Sequence, residues 1–289
     1  MKPTLFTWGT FELHAYIFFL VVAFCVCVLL ATRRNARRQT PDPISPLIGV
    51  WIFAGAILGA RAFHVIQQDG FAAWREILDP LSGGLAFHGG LVGGFLGGWV
   101  YTRIVGASAI RVCDLIFPYL ALGEAITRIG CFLNGCCWGT PTNVPWAVRF
   151  GPGSFPYARH LRLGLIEASA ETTIPIHPSQ LYMVVGLFAL YVLLRVIYER
   201  TQHSGLTMLV YLLLHGAFRF VIEFFRADSL YRYAGLTAAQ WISIGLVLSS
   251  MTALALLAAF YWRRGRDLYA QNGQPVSKEN TEAAVGNAV

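Results

Sequence analysis

Long apolar segments recur along this chain and restrict it to a helical bundle in a membrane. An α-helix rises about 1.5 Å per residue, so about 20 apolar residues cross the hydrocarbon of a bilayer. Hydrophobic residues make up 56% of the chain and charged residues only 13%, against about 25% charged in a soluble domain. We therefore predict an all-α membrane protein with a bundle of seven transmembrane helices. The predicted ranges are 13–31, 48–67, 85–102, 112–129, 177–197, 206–225 and 238–262.

Basic residues between these segments predict the orientation, because Lys and Arg concentrate on the cytoplasmic side. With the N-terminus outside and the C-terminus inside, twelve basic residues are cytoplasmic and six external; four arginines lie within or at the ends of spans. The first segment ends in the basic run 32–38 without a small-residue cleavage site, so we interpret it as an uncleaved helix.

Four regions follow from this topology. We predict transmembrane helices 1–4 in residues 1–138, a small periplasmic cap at 139–176, helices 5–7 in 177–266 and a disordered cytoplasmic tail at 267–289. Proline and glycine in the cap favour irregular structure over another span. The net charge of +7 is spread between apolar runs, which argues against a nucleic-acid partner.

Arginines within the predicted spans are the strongest functional signal, since a charge in a membrane helix normally has a partner or a task. Arg219, Glu223 and Arg226 share one helix face at i,i+4 and i,i+3 spacing. One carboxylate cannot neutralise two guanidinium groups, so we expect a positive charge left for an anion. Arg128, with Glu124 one turn earlier, should lie at the same outer depth. A guanidinium binds phosphate bidentately, and at that depth the available phosphate is a phospholipid head group.

Two further features are open to more than one interpretation. His88 begins the third span at the same level and is a candidate proton acceptor, because a neutral imidazole accepts a proton near neutral pH; the alternative is a hydrogen-bonded residue at a helix interface. Paired glycines at 89–98 form a bare stripe, typical of tight helix packing; the alternative is a lipid-binding slot beside the stripe.

Three cysteines, Cys131, Cys136 and Cys137, cluster after the fourth span. A disulfide, a reactive thiol and a metal site are all possible. Their spacing matches no zinc pattern, so we expect a structural disulfide with one thiol left over, and no metal.

A set of short motifs follows in order along about residues 16 to 240. The motifs are His14-Ala15-Tyr16, Gly59-Ala60-Arg61, Phe87-His88-Gly89-Gly90-Leu91, Arg128-Ile129-Gly130, Asn134-Gly135, Trp138-Gly139, His177-Pro178-Ser179-Gln180-Leu181-Tyr182, Gly216-Ala217-Phe218-Arg219 and Glu223-Phe224-Phe225-Arg226. Together they resemble the prolipoprotein diacylglyceryl transferase family of bacterial inner membranes.

The resemblance implies transfer of the diacylglyceryl group of phosphatidylglycerol to the lipobox cysteine thiol of a preprolipoprotein, with release of glycerol phosphate and without a cofactor. It also implies an active site on the periplasmic side of the inner membrane, in contact with membrane lipids. The implied catalytic residues are Tyr16, His88, Arg128, Arg219 and Glu223. The implied substrate-binding residues are Arg61, Asn134, Gly139, His177, Gln180 and Arg226.

The sequence departs from the family pattern at three positions. Cys131 and Cys136 stand where the family motif has an asparagine and a glutamate, and Met183 where it has a glutamate. An alternative is therefore a related membrane enzyme with shifted chemistry, in which the cysteines serve a different acceptor or exchange disulfides. A transporter is disfavoured, because few charged residues lie in the inner half of the spans.

Overall fold

The computed structural model describes residues 4–8, 11–38, 42–69, 86–201, 203–228 and 232–272. Within these ranges, only the backbone is described for Trp8, Phe11, Asp69, Phe87, His88 and residues 264–272. The segments so covered form eight α-helices, a short 3-10 helix and two small β-hairpins. The helices are α1 (Ala15–Arg38), α2 (Leu47–Asp69), α3 (Phe87–Val105), α4 (Ala109–Asn134), α5 (Phe155–Arg162), α6 (Ser179–Arg200), α7 (Leu206–Ile222) and α8 (Ala238–Asn272).

Each of the seven predicted apolar segments coincides with one long helix, and α5 is the additional short one. Five of the long helices are both long and apolar enough to cross a membrane: α1, α2, α6, α7 and α8. Large apolar side chains on these helices face outward, for example Val185 at 71% and Leu256 at 67% exposed. Such exposure is costly in water but suits contact with lipid. The spanning of α3 and α4, and the orientation, stay predictions.

The described residues are mostly helical, as predicted, and two small β-hairpins that the prediction did not include accompany the helices. Strand β1 (Thr4–Trp8) pairs antiparallel with β2 (Phe11–His14), directly before α1. A second hairpin, β3 (Arg232–Tyr233) and β4 (Leu236–Thr237), precedes α8. The first strand pair overlaps the predicted start of span 1, which therefore begins two residues later than expected.

The segment between α4 and α6 is irregular, with α5 and isolated bridges as its ordered parts. Val148 and Pro141 each pair with Ile176, which is fully buried. At the other end of the chain, α8 continues to Asn272, beyond the predicted start of the tail at residue 267. Residues 273–289 lie outside the described part of the chain.

The chain divides into two compact units, residues 24–116 and residues 1–23 with 117–289. In the first unit α2 and α3 pack with their backbones nearly touching. A Cβ atom added to Gly93 would overlap the carbonyl oxygen of Gly55, and one added to Gly89 would overlap that of Gly59. The glycine stripe is therefore a packing surface, as predicted, and its partner is α2.

The second unit is built around α4, α6 and α7. One cluster joins Ala121, Leu190, Leu194 and Tyr211. A neighbouring cluster joins Ala125, Met183, Leu187 and Ile222. The second cluster lies one helical turn before Arg128 and directly before Glu223, so it fixes the helix ends that carry the charged residues.

Acid is expected to destabilise the segment between α4 and α6 through His160, which lies on α5 and is only 3% exposed. Burial lowers the pKa of His160, so the unfolded chain binds this proton more readily than the folded chain does. Stability should therefore decrease as the pH falls through the unfolded value of about 6.5. Thermal unfolding of the wild type and of His160→Phe at pH 7.5 and 5.5 measures this. From pH 7.5 to pH 5.5, the melting temperature should fall further for the wild type than for the variant. Equal decreases would rule the effect out.

Candidate active site

A tight turn after α4 brings the three cysteines together. Gly135 and Cys137 both have left-handed backbone angles, with φ values of 76° and 59°, and the amide of Cys136 donates to the carbonyl of Cys131 at 3.1 Å. The chain thereby folds back, and the sulfur atoms of Cys131, Cys136 and Cys137 all lie within 4.8 Å of one another. All three are free thiols, so the expected disulfide is wrong.

The N-terminal turn of α6 holds this cysteine turn in place. The Ser179 hydroxyl donates to the carbonyl of Cys137 at 2.8 Å, and the Gln180 amide donates to the carbonyl of Cys136 at 2.7 Å. Both side chains are 1% exposed. The histidine-proline-serine-glutamine motif therefore supports the cysteine turn; substrate contact by Gln180 stays a prediction.

Antiparallel backbone pairing places the cysteine turn beside the end of α7. The amide of Thr140 donates to the carbonyl of Phe225 at 2.8 Å, and the amide of Ala227 donates to that of Trp138 at 3.1 Å. Gly139 lies between them, opposite Arg226. A Cβ atom on Gly139 would overlap the carbonyl of His177 and lie 2.9 Å from that of Phe225. Glycine is thus required here by the close approach of three backbone segments.

The arginines at the end of α7 are both paired with carboxylates. Arg219 donates to Glu223, which is 2% exposed, and Arg226 lies 3.7 Å from the same carboxylate. Arg226 also binds Asp228 through two hydrogen bonds of 2.9 and 2.7 Å. The prediction of an uncompensated charge in this motif is therefore wrong, because Asp228 supplies a second carboxylate from beyond the helix.

Arg128 belongs to a series of side-chain contacts that links α4 to α7. Its Nη2 atom donates to Oε1 of Glu124 at 3.0 Å, and Oε2 of Glu124 lies 2.8 Å from Nε2 of His215. The Nη1 atom of Arg128 lies 3.5 Å from the sulfur of Cys137, and its Nε atom is buried without a hydrogen-bond partner. Sequence reasoning missed His215, because a lone histidine in an apolar helix is more often a packing residue.

These groups form one electrostatic cluster. Arg219 lies close enough to Arg226 and Arg128 to be repelled by both, and Cys137 is attracted to Arg226 and Arg128. Hydrogen bonds from Cys131 and Cys136, followed by these two positive charges, hold the pKa of the Cys137 thiol below its ordinary value. The structure thus brings arginines of α4 and of the end of α7 near one another, together with a thiol that the prediction did not include. Their joint binding of one phosphate stays a prediction.

Three further predicted residues lie around this cluster. Asn134 is the last residue of α4, two positions before Cys136. Tyr16, near the start of α1, packs against α4, since a Cβ atom on Gly130 would lie 3.2 Å from its Cα. His177 is 3.0 Å from the Tyr182 hydroxyl and stacks edge-on against Phe225.

Two predicted residues belong to the other unit. Arg61 is buried on α2, with 3% of its surface exposed. His88 lies in the first turn of α3, but its side chain is outside the described residues. Their part in the site therefore stays a prediction.

A cavity of about 230 Å³ lies beside the cluster. The cavity lies between α5 and the paired backbone segments that contain Trp138 and Ala227. Its lining residues are Trp138, Phe155, Ala158, Arg159, Arg162, Ala227 and Asp228.

Comparison with known proteins identifies the family. The sequence profile described as prolipoprotein diacylglyceryl transferase matches residues 3–256. The chain belongs to this family. The phosphatidylglycerol–prolipoprotein diacylglyceryl transferase of Pseudomonas fluorescens is 31% identical over 92% of this chain and 94% of its own length. The protein of that name from Clostridium tetani is 27% identical over 86% and 94%.

Family membership confirms the predicted resemblance and makes the chain a transferase. The matched residues include all of the charged cluster and the cysteine turn. The similarity extends over nearly the whole length of these relatives. Both units of the chain are therefore parts of the family fold.

Proposed function

We propose that this chain transfers the diacylglyceryl group of phosphatidylglycerol to the lipobox cysteine of a preprolipoprotein, on the periplasmic side of a bacterial inner membrane. The observation that carries the proposal is the meeting of Arg128, Arg219 and Arg226 in one cluster at the ends of α4 and α7. The substrates named for the relatives, phosphatidylglycerol and a prolipoprotein, match what such a cluster can bind.

The paired arginines retain the donors that a phosphate needs. A guanidinium has five N–H donors, and Arg128 uses only some of them on Glu124 and Cys137 while its buried Nε has no acceptor. Arg219 donates to Glu223 through Nη1. Carboxylates that hold one edge of a guanidinium fix its plane and leave the other edge for a ligand.

The reaction requires a thiolate and a stabilised leaving group. The acceptor sulfur attacks the diacylglyceryl carbon, a C–S bond forms, and the bond from that carbon to the phosphate oxygen breaks. Glycerol phosphate leaves with the electron pair as an anion, and Arg128 and Arg219 stabilise the growing negative charge. In this proposal His88 accepts the thiol proton, Tyr16 orients the glycerol and Glu223 positions Arg219 and Arg226.

A purified assay tests this function. The protein is supplied with phosphatidylglycerol vesicles and a peptide that contains a lipobox cysteine. We expect one diacylglyceryl group added per peptide and an equal amount of glycerol phosphate released, with His88→Ala inactive. The peptide with serine in place of cysteine should not react, nor should vesicles of phosphatidylethanolamine. Failure of the wild type to restore lipoprotein modification in cells depleted of their own transferase would contradict the proposal.

A second function, thiol-disulfide exchange by the cysteine turn, is favoured by one observation, the position of Cys137 beside Arg128. Nearby positive charge stabilises the thiolate that attacks disulfides. This alternative predicts that the chain reduces or oxidises a protein disulfide in the absence of lipid. It is excluded if replacement of all three cysteines by serine leaves the reduction or oxidation of that disulfide unchanged.

A further inference from the structure

The cysteine turn combines three features of a metal site. Three thiols from the segment 131–137 converge, their sulfur atoms lie within 4.8 Å of one another, and one of them is buried while two are partly exposed. Zinc binds thiolates at about 2.3 Å, so three sulfur atoms around a tetrahedral zinc are about 3.8 Å apart. The observed separations, at most 4.8 Å, exceed this value by no more than about 1 Å.

The surroundings of the three thiols fit a thiolate-bound ion electrostatically. A divalent ion with three thiolates has one net negative charge, and the guanidinium of Arg128 lies 3.5 Å from the sulfur of Cys137. Such a contact from the surrounding layer orients a metal ligand and stabilises its charge.

The backbone of the turn is also fixed in the way that a metal site requires. Ser179 and Gln180 bind the carbonyl groups of Cys137 and Cys136, and both are fully buried. The turn is therefore held by another helix rather than by the ion alone. This explains why spacing in the sequence did not indicate a zinc site: the ligands are positioned by tertiary contacts.

We propose that Cys131, Cys136 and Cys137 bind a zinc ion whose fourth coordination position receives the thiol of the acceptor cysteine. Three protein ligands with an open position are the arrangement of catalytic rather than structural zinc, and soft thiolate ligands select zinc over calcium or magnesium. The second half of the proposal rests on the proposed function, because it assigns the fourth position to the acceptor.

The metal ionises the acceptor before transfer. The acceptor thiol binds zinc as a thiolate and releases its proton to a base or to water, since a coordinating thiol is deprotonated outright. The zinc-bound sulfur then forms the C–S bond as the carbon–oxygen bond to phosphate breaks. The metal remains divalent throughout, so no oxidant or reductant is needed.

Metal analysis of the purified full-length protein tests the site itself. We expect about one zinc per chain after exposure to zinc and removal of the excess, and loss of most of it in each of Cys131→Ser, Cys136→Ser and Cys137→Ser. The matched control is Cys25→Ser with Cys113→Ser, which replaces cysteines outside the cluster and should retain the zinc. No bound zinc in the wild type, equal zinc in the cluster variants, or a disulfide within the cluster would each overturn the proposal.

Cobalt substitution tests the fourth position. Co²⁺ in the site should show thiolate-to-metal absorption, which should increase when the lipobox peptide is added and remain unchanged with its serine counterpart. An unchanged spectrum with both peptides would overturn the assignment of the fourth position. Metal content does not depend on turnover, so a chain that binds zinc and does not lipidate the peptide contradicts the proposed function alone.

Discussion

Replacement of Arg219 by glutamine is expected to lower the rate of diacylglyceryl transfer by at least about 100-fold, the usual effect of removing a donor that stabilises developing negative charge. The variant removes one of three guanidinium groups from the cluster and leaves a neutral side chain of similar length. The measurement is the rate of peptide lipidation in phosphatidylglycerol vesicles at saturating peptide.

A double variant separates catalysis from folding. Loss of Arg219 removes the ion pair that this residue forms with the buried carboxylate of Glu223, and weakening the compensation of a buried charge is destabilising. The double variant Arg219→Gln with Glu223→Gln removes that charge and should fold normally while remaining inactive. Recovery of activity in the double variant would mean that Arg219 acts only on stability.

Arg195 supplies the matched control for these variants. It forms the same kind of i,i+4 ion pair, with Glu199 at 2.6 Å, on α6. Arg195→Gln should keep activity near the wild-type level. Arg219→Lys should lose most activity, because lysine keeps the charge but lacks the planar fork that binds phosphate in two places.

Replacement of Gly93 by alanine is expected to destabilise the unit formed by residues 24–116, by about 1–3 kcal/mol or more as for other overpacked sites. The added Cβ would overlap the carbonyl oxygen of Gly55 and lie 2.8 Å from the Cα of Gly59. Backbone atoms cannot rotate away as a flexible side chain can, so α2 and α3 must separate. The melting temperature in detergent measures the effect.

Gly94→Ala is the control for this substitution. It adds the same methyl group on the same helix, one position along, where the nearest atoms lie at an ordinary contact distance of 3.5 Å. Its melting temperature should equal or slightly exceed that of the wild type, since alanine favours helix over glycine. Equal destabilisation by both substitutions would contradict the close-packing interpretation.

The helices and much of the charged cluster could be predicted from the sequence, because both depend on local spacing. A run of about 20 apolar residues requires a helix in lipid, whatever surrounds it. The pair of Arg219 and Glu223 follows from the i,i+4 geometry of one helix, as does that of Arg128 and Glu124. The ordered motifs also identified the family before any contact was known.

Contacts between distant segments could not be predicted in the same way. His215 on α7 contacts Glu124 on α4. Asp228, which follows the end of α7, binds Arg226. Asp228 alters the charge balance of the cluster, and His215 adds a hydrogen-bond partner for Glu124. The sequence also contained no sign that the amide of Gln180, predicted to bind substrate, holds the carbonyl of Cys136.

The sequence by itself determined where the long helices form, which arginines lie near their ends and which family the motifs resemble, because periodicity and hydropathy are properties of consecutive residues. Only the tertiary structure decided that three thiols with no recognised metal spacing converge within 4.8 Å. Two left-handed residues reverse the chain there, and buried groups on another helix hold the reversal in place. Such convergence depends on backbone direction and on partners remote in sequence, and spacing along the chain encodes neither.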